Sequence, residues 1–151
     1  MFDLKKNFLN LEKTFDLNDL AQLIDSGSYQ IKNTDEKKFK DTFYLEGSFK
    51  LIGAENSNYF SKLKKTLDGE LNKSKKMSNL YLFFSFKSYA ASNHVDHEDV
   101  NIIGLYGKTM YIIDNKNLIV EKGDLLSIKK GTMHRSIALG PRIILSHGVY
   151  S

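Results

Sequence analysis

Gly123-Asp124-Leu125-Leu126-Ser127-Ile128-Lys129-Lys130-Gly131-Thr132-Met133-His134 is the stretch on which the reading of this chain turns. Leu125 to Ile128 stand between two glycines, too few residues for a helix and bounded by chain breakers. They read as a strand, and His134 opens the next one. Upstream, His94-Val95-Asp96 sets an imidazole and a carboxylate two residues apart. On extended backbone such residues share a face, about 7 Å apart. A fold that brings His134 beside them offers a divalent metal two nitrogens and an oxygen. The opposite face of an octahedral ion then stays open.

Outward from this stretch the same grammar holds from residue 79 onward. Leu80-Tyr81-Leu82-Phe83-Phe84-Ser85-Phe86 is nearly continuous in apolar residues, the pattern of a strand buried on both faces. Segments 100–106, 109–113, 118–120, 125–128, 134–139 and 142–150 follow as short strands. The breakers between them are Gly107, Asp114-Asn115-Lys116-Asn117, Gly123, Gly131 and Gly140-Pro141. Short strands at such intervals indicate a sandwich or barrel.

The first 78 residues read differently. Residues 2–24 carry apolar positions at helical spacing, clearest at Leu17, Leu20, Ala21 and Ile24. Asp16 or Asn18 can cap that helix, and Gly27 lies just past its end. The best helix is 57–71, where Phe60, Leu63, Leu67 and Leu71 form one stripe and lysines take the other faces. Strands are expected at 29–32 and 43–52, the latter with a turn at Gly47, and a charged loop at 34–41. The expectation is a single domain over 1–151. A helical cover from 1–78 packs on a β-barrel from 79–151, with the three ligands at one open end.

Composition narrows the chemistry. At 151 residues the chain can bury a core without staples. Without cysteine it has no disulfide, no thiolate metal site and no cysteine nucleophile. A cytoplasmic location fits that absence. Met1-Phe2-Asp3-Leu4-Lys5-Lys6 lacks the apolar run of a signal peptide, and no segment is apolar enough for a membrane span. The net charge of +4 is mild. The lysines at 37–38, 64–65, 73 and 75–76 read as solvated faces, so no nucleic-acid site is expected. A homodimer stays open.

With these residues in place, the region from His94 to His134 resembles the two motifs of the cupin superfamily, a double-stranded β-helix or jelly roll. The spacing of Gly123, Gly131 and His134 carries the second motif, with Lys129 where a proline is usual. Within cupins the chain is most similar to the JmjC-like 2-oxoglutarate oxygenases of the ribosomal-oxygenase branch. That likeness rests on Asn79-Leu80-Tyr81-Leu82, Ser85, His94-Val95-Asp96-His97-Glu98-Asp99-Val100 and Gly107-Lys108. Ala138-Leu139, Ser146-His147-Gly148, Gly47-Ser48-Phe49-Lys50-Leu51 and the helix at 58–71 extend it to about two thirds of the chain.

The resemblance implies a catalytic Fe(II) on His94, Asp96 and His134, with 2-oxoglutarate as cosubstrate. Succinate and CO₂ would be released and a C–H bond hydroxylated on a protein side chain or small molecule. Two features depart from the pattern. The basic residue usual two positions after the glycine is Thr109 here, with Lys108 one position earlier. On a strand that shift turns the side chain to the other face. The far carboxylate of the cosubstrate then has Ser85 and Thr109 as candidate hydroxyls and Lys108 and Arg142 as candidate cations, the family pattern favouring Lys108. The chain also stops at Ser151, without the dimerisation and winged-helix parts of the larger enzymes. Two rivals remain: a small metal-dependent cupin acting as lyase, isomerase or 2-oxoglutarate-independent dioxygenase, and a non-catalytic ligand-binding cupin. Asp99 is expected to be structural, orienting a ligand histidine being one such role, and His97 and His147 to be surface or satisfied histidines, although His147 is on a strand that could line the barrel. Tyr81, Tyr89 and Tyr106 are expected to pack, one of them at the pocket mouth.

Overall fold

Two antiparallel sheets, one of seven strands and one of four, form the framework of the computed structural model, which describes residues 1–11, 13–27, 29–33 and 47–150. The strands are β1 (Phe2–Lys5), β2 (Gln30–Asn33), β3 (Ser48–Ile52), β4 (Ser78–Ser85), β5 (Tyr89–Ala90), β6 (Asp99–Tyr106), β7 (Thr109–Ile113), β8 (Lys116–Val120), β9 (Leu125–Ile128), β10 (His134–Ala138) and β11 (Arg142–Val149). The large sheet has the order β1-β9-β6-β11-β4-β3-β2, and the small one β5-β10-β7-β8. This is the jelly roll expected from the spacing of strands and glycines.

Among the described residues, the α-helices α1 (Leu17–Ser26) and α2 (Asn58–Leu71) precede the β-rich half. Asp16 caps α1 by accepting from the Asp19 amide, and the Asp19 carboxylate accepts from the Asp16 amide, each at 3.0 Å. Ser57 caps α2 through the Phe60 amide.

The alternation of side chains divides the large sheet into two faces. Outward, Leu80, Leu82, Phe84, Ile103, Leu105, Ile143 and Leu145 meet Leu20 of α1 and Phe60 and Leu67 of α2 in one buried cluster. Inward, Val100, Ile102, Leu126, Ile128 and Ile144 meet Tyr111, Ile113 and Val120 of the small sheet in a second. The hairpin between β7 and β8 turns on Asp114 and Asn115, both at positive φ (50° and 60°). Such two-residue turns match the twist of paired strands.

The N-terminal residues depart from the helical reading. Phe2–Lys5 is an edge strand, pairing Phe2 with Ile128 and Leu4 with Leu126. The free edge of β9 supplies a hydrogen-bond ladder, and strand geometry lets Phe2 and Leu4 together reach the inner cluster. With β2 and β3, the described part of the first 78 residues thus adds three strands to the large sheet besides α1 and α2. Residues 34–41, expected as a loop, and 43–46 lie outside the described residues. The two-residue strand β5 is too short to have left a sequence pattern.

Candidate metal centre and its cavity

His134 begins β10, and a single bridge ties it to His94: each backbone amide donates to the other's carbonyl, at 2.9 and 3.0 Å. The Asp96 carbonyl accepts from the Gly131 amide at 3.0 Å, fixing the second ligand segment to the loop that leads into β10. The two imidazole centroids are 4.4 Å apart. His134 Nε2 lies 3.4 Å from one Asp96 carboxylate oxygen, and His94 Nε2 3.8 Å from the other. One ligand atom from each residue lies within 4.8 Å of the other two, a spacing that fits one metal ion.

The protonation pattern suits metal binding as well. Nδ1 of His94 donates to the Ser92 carbonyl (3.0 Å), and Nδ1 of His134 to the Thr132 carbonyl (2.9 Å). A carbonyl only accepts, so the proton sits on Nδ1 and the Nε2 lone pair is left for a ligand bond. Burial lowers the pKa of His134 from its ordinary value, with a contribution from His94, against opposing effects of the Thr132 hydrogen bond and Asp96. The neutral imidazole that a metal requires is thereby favoured.

These three side chains lie on the wall of a cavity of about 590 Å³ between the sheets. Arg142 lines the same cavity and is 3% exposed. One of its terminal nitrogens, Nη2, donates to Ser48 Oγ at 2.8 Å, whereas Nε and Nη1 have no partner. Ser85 Oγ and Thr109 Oγ1 are likewise buried and unpartnered. Register explains the grouping: Ser48, Ser85 and Arg142 are cross-strand neighbours on β3, β4 and β11. Of the five buried side-chain atoms without a hydrogen-bond partner among the described residues, four belong to Ser85, Thr109 and Arg142.

Lys108 is not part of this grouping, contrary to the expectation drawn from the resemblance. Its side chain is 64% exposed, stands 3.5 Å from Glu121 and does not line the cavity. No bulge shifts β7: Thr109, Tyr111 and Ile113 face inward in unbroken alternation, leaving Lys108 outside. The irregularity in this part of the sheet falls instead between Ile143 and Ile144 of β11. Gly107, at φ 69°, makes the corner; a Cβ there would lie 2.1 Å from the Pro141 carbonyl oxygen.

Other candidates sort by face. Asp99 touches no histidine; it accepts from Lys129 Nζ (2.8 Å) and the Lys130 amide (3.0 Å), holding the loop before His134. His147 points outward to Asp68 of α2, and His97 is exposed. Tyr81 and Tyr89 line the cavity, whereas Tyr106 packs against the helix-side core. Tyr111 escaped sequence reasoning. Its ring centroid lies 6.4 Å from that of His134, and burial raises its phenol pKa, Arg142 opposing and Asp96 adding. The signal was available in the alternation that sets Tyr111 on the face of Thr109.

The geometry is that of a double-stranded β-helix with a His-Asp-His cluster and a buried guanidinium on one cavity wall. No family model matches the chain, and neither does any curated protein. Solved structures do. The ribosomal oxygenase YcfD from Escherichia coli aligns with a TM-score of 0.75 at 17% identity, over 99% of this chain and 48% of that one. YcfD in complex with cobalt and 2-oxoglutarate aligns at 0.76 and 18% identity, over 100% of this chain and 48% of that one. The complex with cobalt and succinic acid gives 0.74 and 18%, over 99% and 48%. At this identity the likeness establishes the fold, and the chain spans about half the length of the structures it matches. Among the described residues, no helix is long and apolar enough to cross a membrane.

Proposed function

We propose that the chain is an Fe(II)- and 2-oxoglutarate-dependent oxygenase, with His94, Asp96 and His134 as metal ligands and Arg142 as the anchor for the far carboxylate of 2-oxoglutarate. The observation that carries this reading is the unpaired guanidinium edge of Arg142 in the same cavity as the three ligands. A buried donor left unsatisfied costs about 1–3 kcal/mol, more when charged. A carboxylate ligand removes that cost through charge-assisted hydrogen bonds. Ser85 and Thr109 supply unpartnered hydroxyls to the same carboxylate. Likeness in fold to a protein solved with cobalt and 2-oxoglutarate supports the choice of acid.

Bound Fe(II) would supply the redox chemistry that couples decarboxylation of 2-oxoglutarate to hydroxylation of a C–H bond. The chain's own residues bind and orient. His94 and His134 present Nε2, Asp96 presents a carboxylate oxygen, and Arg142 fixes the cosubstrate from its other end. Phe83, Ile102 and Ile144 on the cavity wall limit the access of water. The substrate is a protein side chain or a small molecule, and the cytoplasm is the proposed location. The test is calorimetric titration of the metal-free protein with cobalt and then 2-oxoglutarate, alongside iron-dependent succinate release. Stoichiometric binding of both supports the reading. Metal binding without 2-oxoglutarate leaves the metal-dependent cupin, and no metal binding leaves the ligand-binding one.

A further inference from the structure

Arg142 accounts for one carboxylate, yet the cavity holds a second cation. Lys50 follows Ser48 by two residues on β3, so both face inward, and Lys50 sits opposite Phe83 of β4. Its ammonium stands 3.9 Å from the ring centroid of Tyr81 and 5.8 Å from that of Phe83. Among the described residues it makes no hydrogen bond and no ion pair. A lysine on a solvated face extends its head to water. Lys50 instead keeps its ammonium over a cavity-wall ring. The ring face attracts the charge but offers no lone pair to the N–H donors.

We propose that Lys50 recognises the primary substrate by binding a carboxylate, making this site selective for an acidic substrate. The inference rests on the oxygenase reading, because 2-oxoglutarate is what occupies Arg142 and leaves Lys50 over. The other cavity charges leave Lys50 available. Asp96 belongs to the proposed metal site, and among the described residues neither Asp96 nor Glu98 forms an ion pair with Lys50. A carboxylate arriving over the Tyr81 ring meets donors that no described residue claims, in a partly dehydrated setting. A basic group meets like charge there, the usual basis for rejecting a wrong partner. Burial lowers the Lys50 pKa from its ordinary value, Lys32 adding and Glu98 and Asp96 opposing.

The test uses the cobalt- and 2-oxoglutarate-loaded protein, in which Arg142 is occupied. Ligand-observed NMR, which detects weak binding, would compare the N-acetyl amides of aspartate, glutamate, glutamine and lysine. The acidic probes are expected to bind about tenfold or more tightly than the glutamine probe, as one charge-assisted hydrogen bond provides. Lys50→Met should abolish that preference, and Lys50→Glu should turn it toward the lysine probe. Cobalt and 2-oxoglutarate affinities, measured on the same samples, should stay at wild-type values and show that each variant is folded. Equal binding of acidic and amide probes by the wild type, or an acidic preference that survives Lys50→Met, overturns the role of Lys50 while leaving the oxygenase reading intact. Failure of the wild type to bind 2-oxoglutarate overturns both.

Discussion

The two faces of the seven-stranded sheet both bury polar groups, and they treat them in opposite ways. On the helix-facing side, His147 is fully buried with both ring nitrogens engaged. Nε2–H donates to Asp68 Oδ1 at 2.8 Å, and Nδ1 accepts from the Asn101 amide at 3.3 Å. Asn101 in turn accepts from Ser127, and Asp68 also accepts from Ser78 (2.6 Å) and Lys64 (2.9 Å). On the cavity side, Arg142, Ser85 and Thr109 are just as buried but leave donors unused. His134 uses one nitrogen on the backbone and aims the other at Asp96. Burial of a polar group does not distinguish architecture from site; leftover hydrogen-bonding capacity does.

The sharpest way to break this contrast is to cut each face in turn. Phe84 is fully buried on the helix side, stacked 5.4 Å from Phe49. Phe84→Ala should cost about 3–5 kcal/mol in urea unfolding. At temperatures where the variant is still folded, metal affinity should match the wild type. Asp96→Ala should do the reverse, lowering cobalt affinity at least about a hundredfold while shifting the unfolding of the chelated protein by no more than about 1 kcal/mol. Loss of metal in Phe84→Ala, or strong destabilisation in Asp96→Ala, would show that the faces are not separate.

The same contrast explains what could be read from sequence. The strands from β6 to β11 and both helices were legible because periodicity and glycine punctuation report local geometry. The clustering of His94, Asp96 and His134 was legible because two of them sit in one short motif and the third opens a strand. The strand at Phe2–Lys5 was not, since its pairing with β9 is a long-range event that four residues cannot announce. The choice between Lys108 and Arg142 turned on whether β7 carries a bulge, which only the register of Thr109 with Val120 and Ala138 reveals. Lys50 and Tyr111 escaped as functional candidates because nothing local distinguishes a cavity-facing residue from one in the core.

Arg142→Met sharpens the comparison further. It should weaken 2-oxoglutarate binding by about tenfold to a hundredfold, the loss of one or two charge-assisted hydrogen bonds, and leave cobalt binding in place. The ligand-free variant should unfold at the same urea concentration as the wild type or a higher one. Replacing a buried, underused cation with an apolar side chain removes its desolvation cost. A clear loss of stability would mean that the guanidinium is structural, as Asp68 is on the other face.

The smallest expected effect is the share of the pH dependence that the satisfied face contributes. Burial lowers the His147 pKa from the ordinary 6.5, against the opposing hydrogen bond and charge of Asp68. The Asp68 carboxyl feels burial too, yet hydrogen bonds from Ser78, His147 and Lys64 hold it well below the ordinary 3.8. For His147, both folded and unfolded states are neutral above pH 6.5. As pH falls below that value the unfolded chain takes up a proton that the folded one resists, so stability declines until the folded pKa is reached. For Asp68, the contribution is complete above pH 3.8 and fades as pH falls further toward its depressed folded value. The two losses come in succession, the histidine first. His147→Gln should therefore make the fall in unfolding free energy just below pH 6.5 shallower, the remainder belonging to His134, and leave the part below pH 3.8. Asp68→Asn should make the lower part shallower, the remainder belonging to Asp16, Asp99 and Asp124. Urea denaturation of the chelated protein across this range reads both slopes without interference from the metal ligands' affinity for the ion. A wild-type stability that rises between pH 6.5 and 5 would mean that His147 is protonated in the fold, and the account of the helix-side knot would have to be redrawn around a buried ion pair.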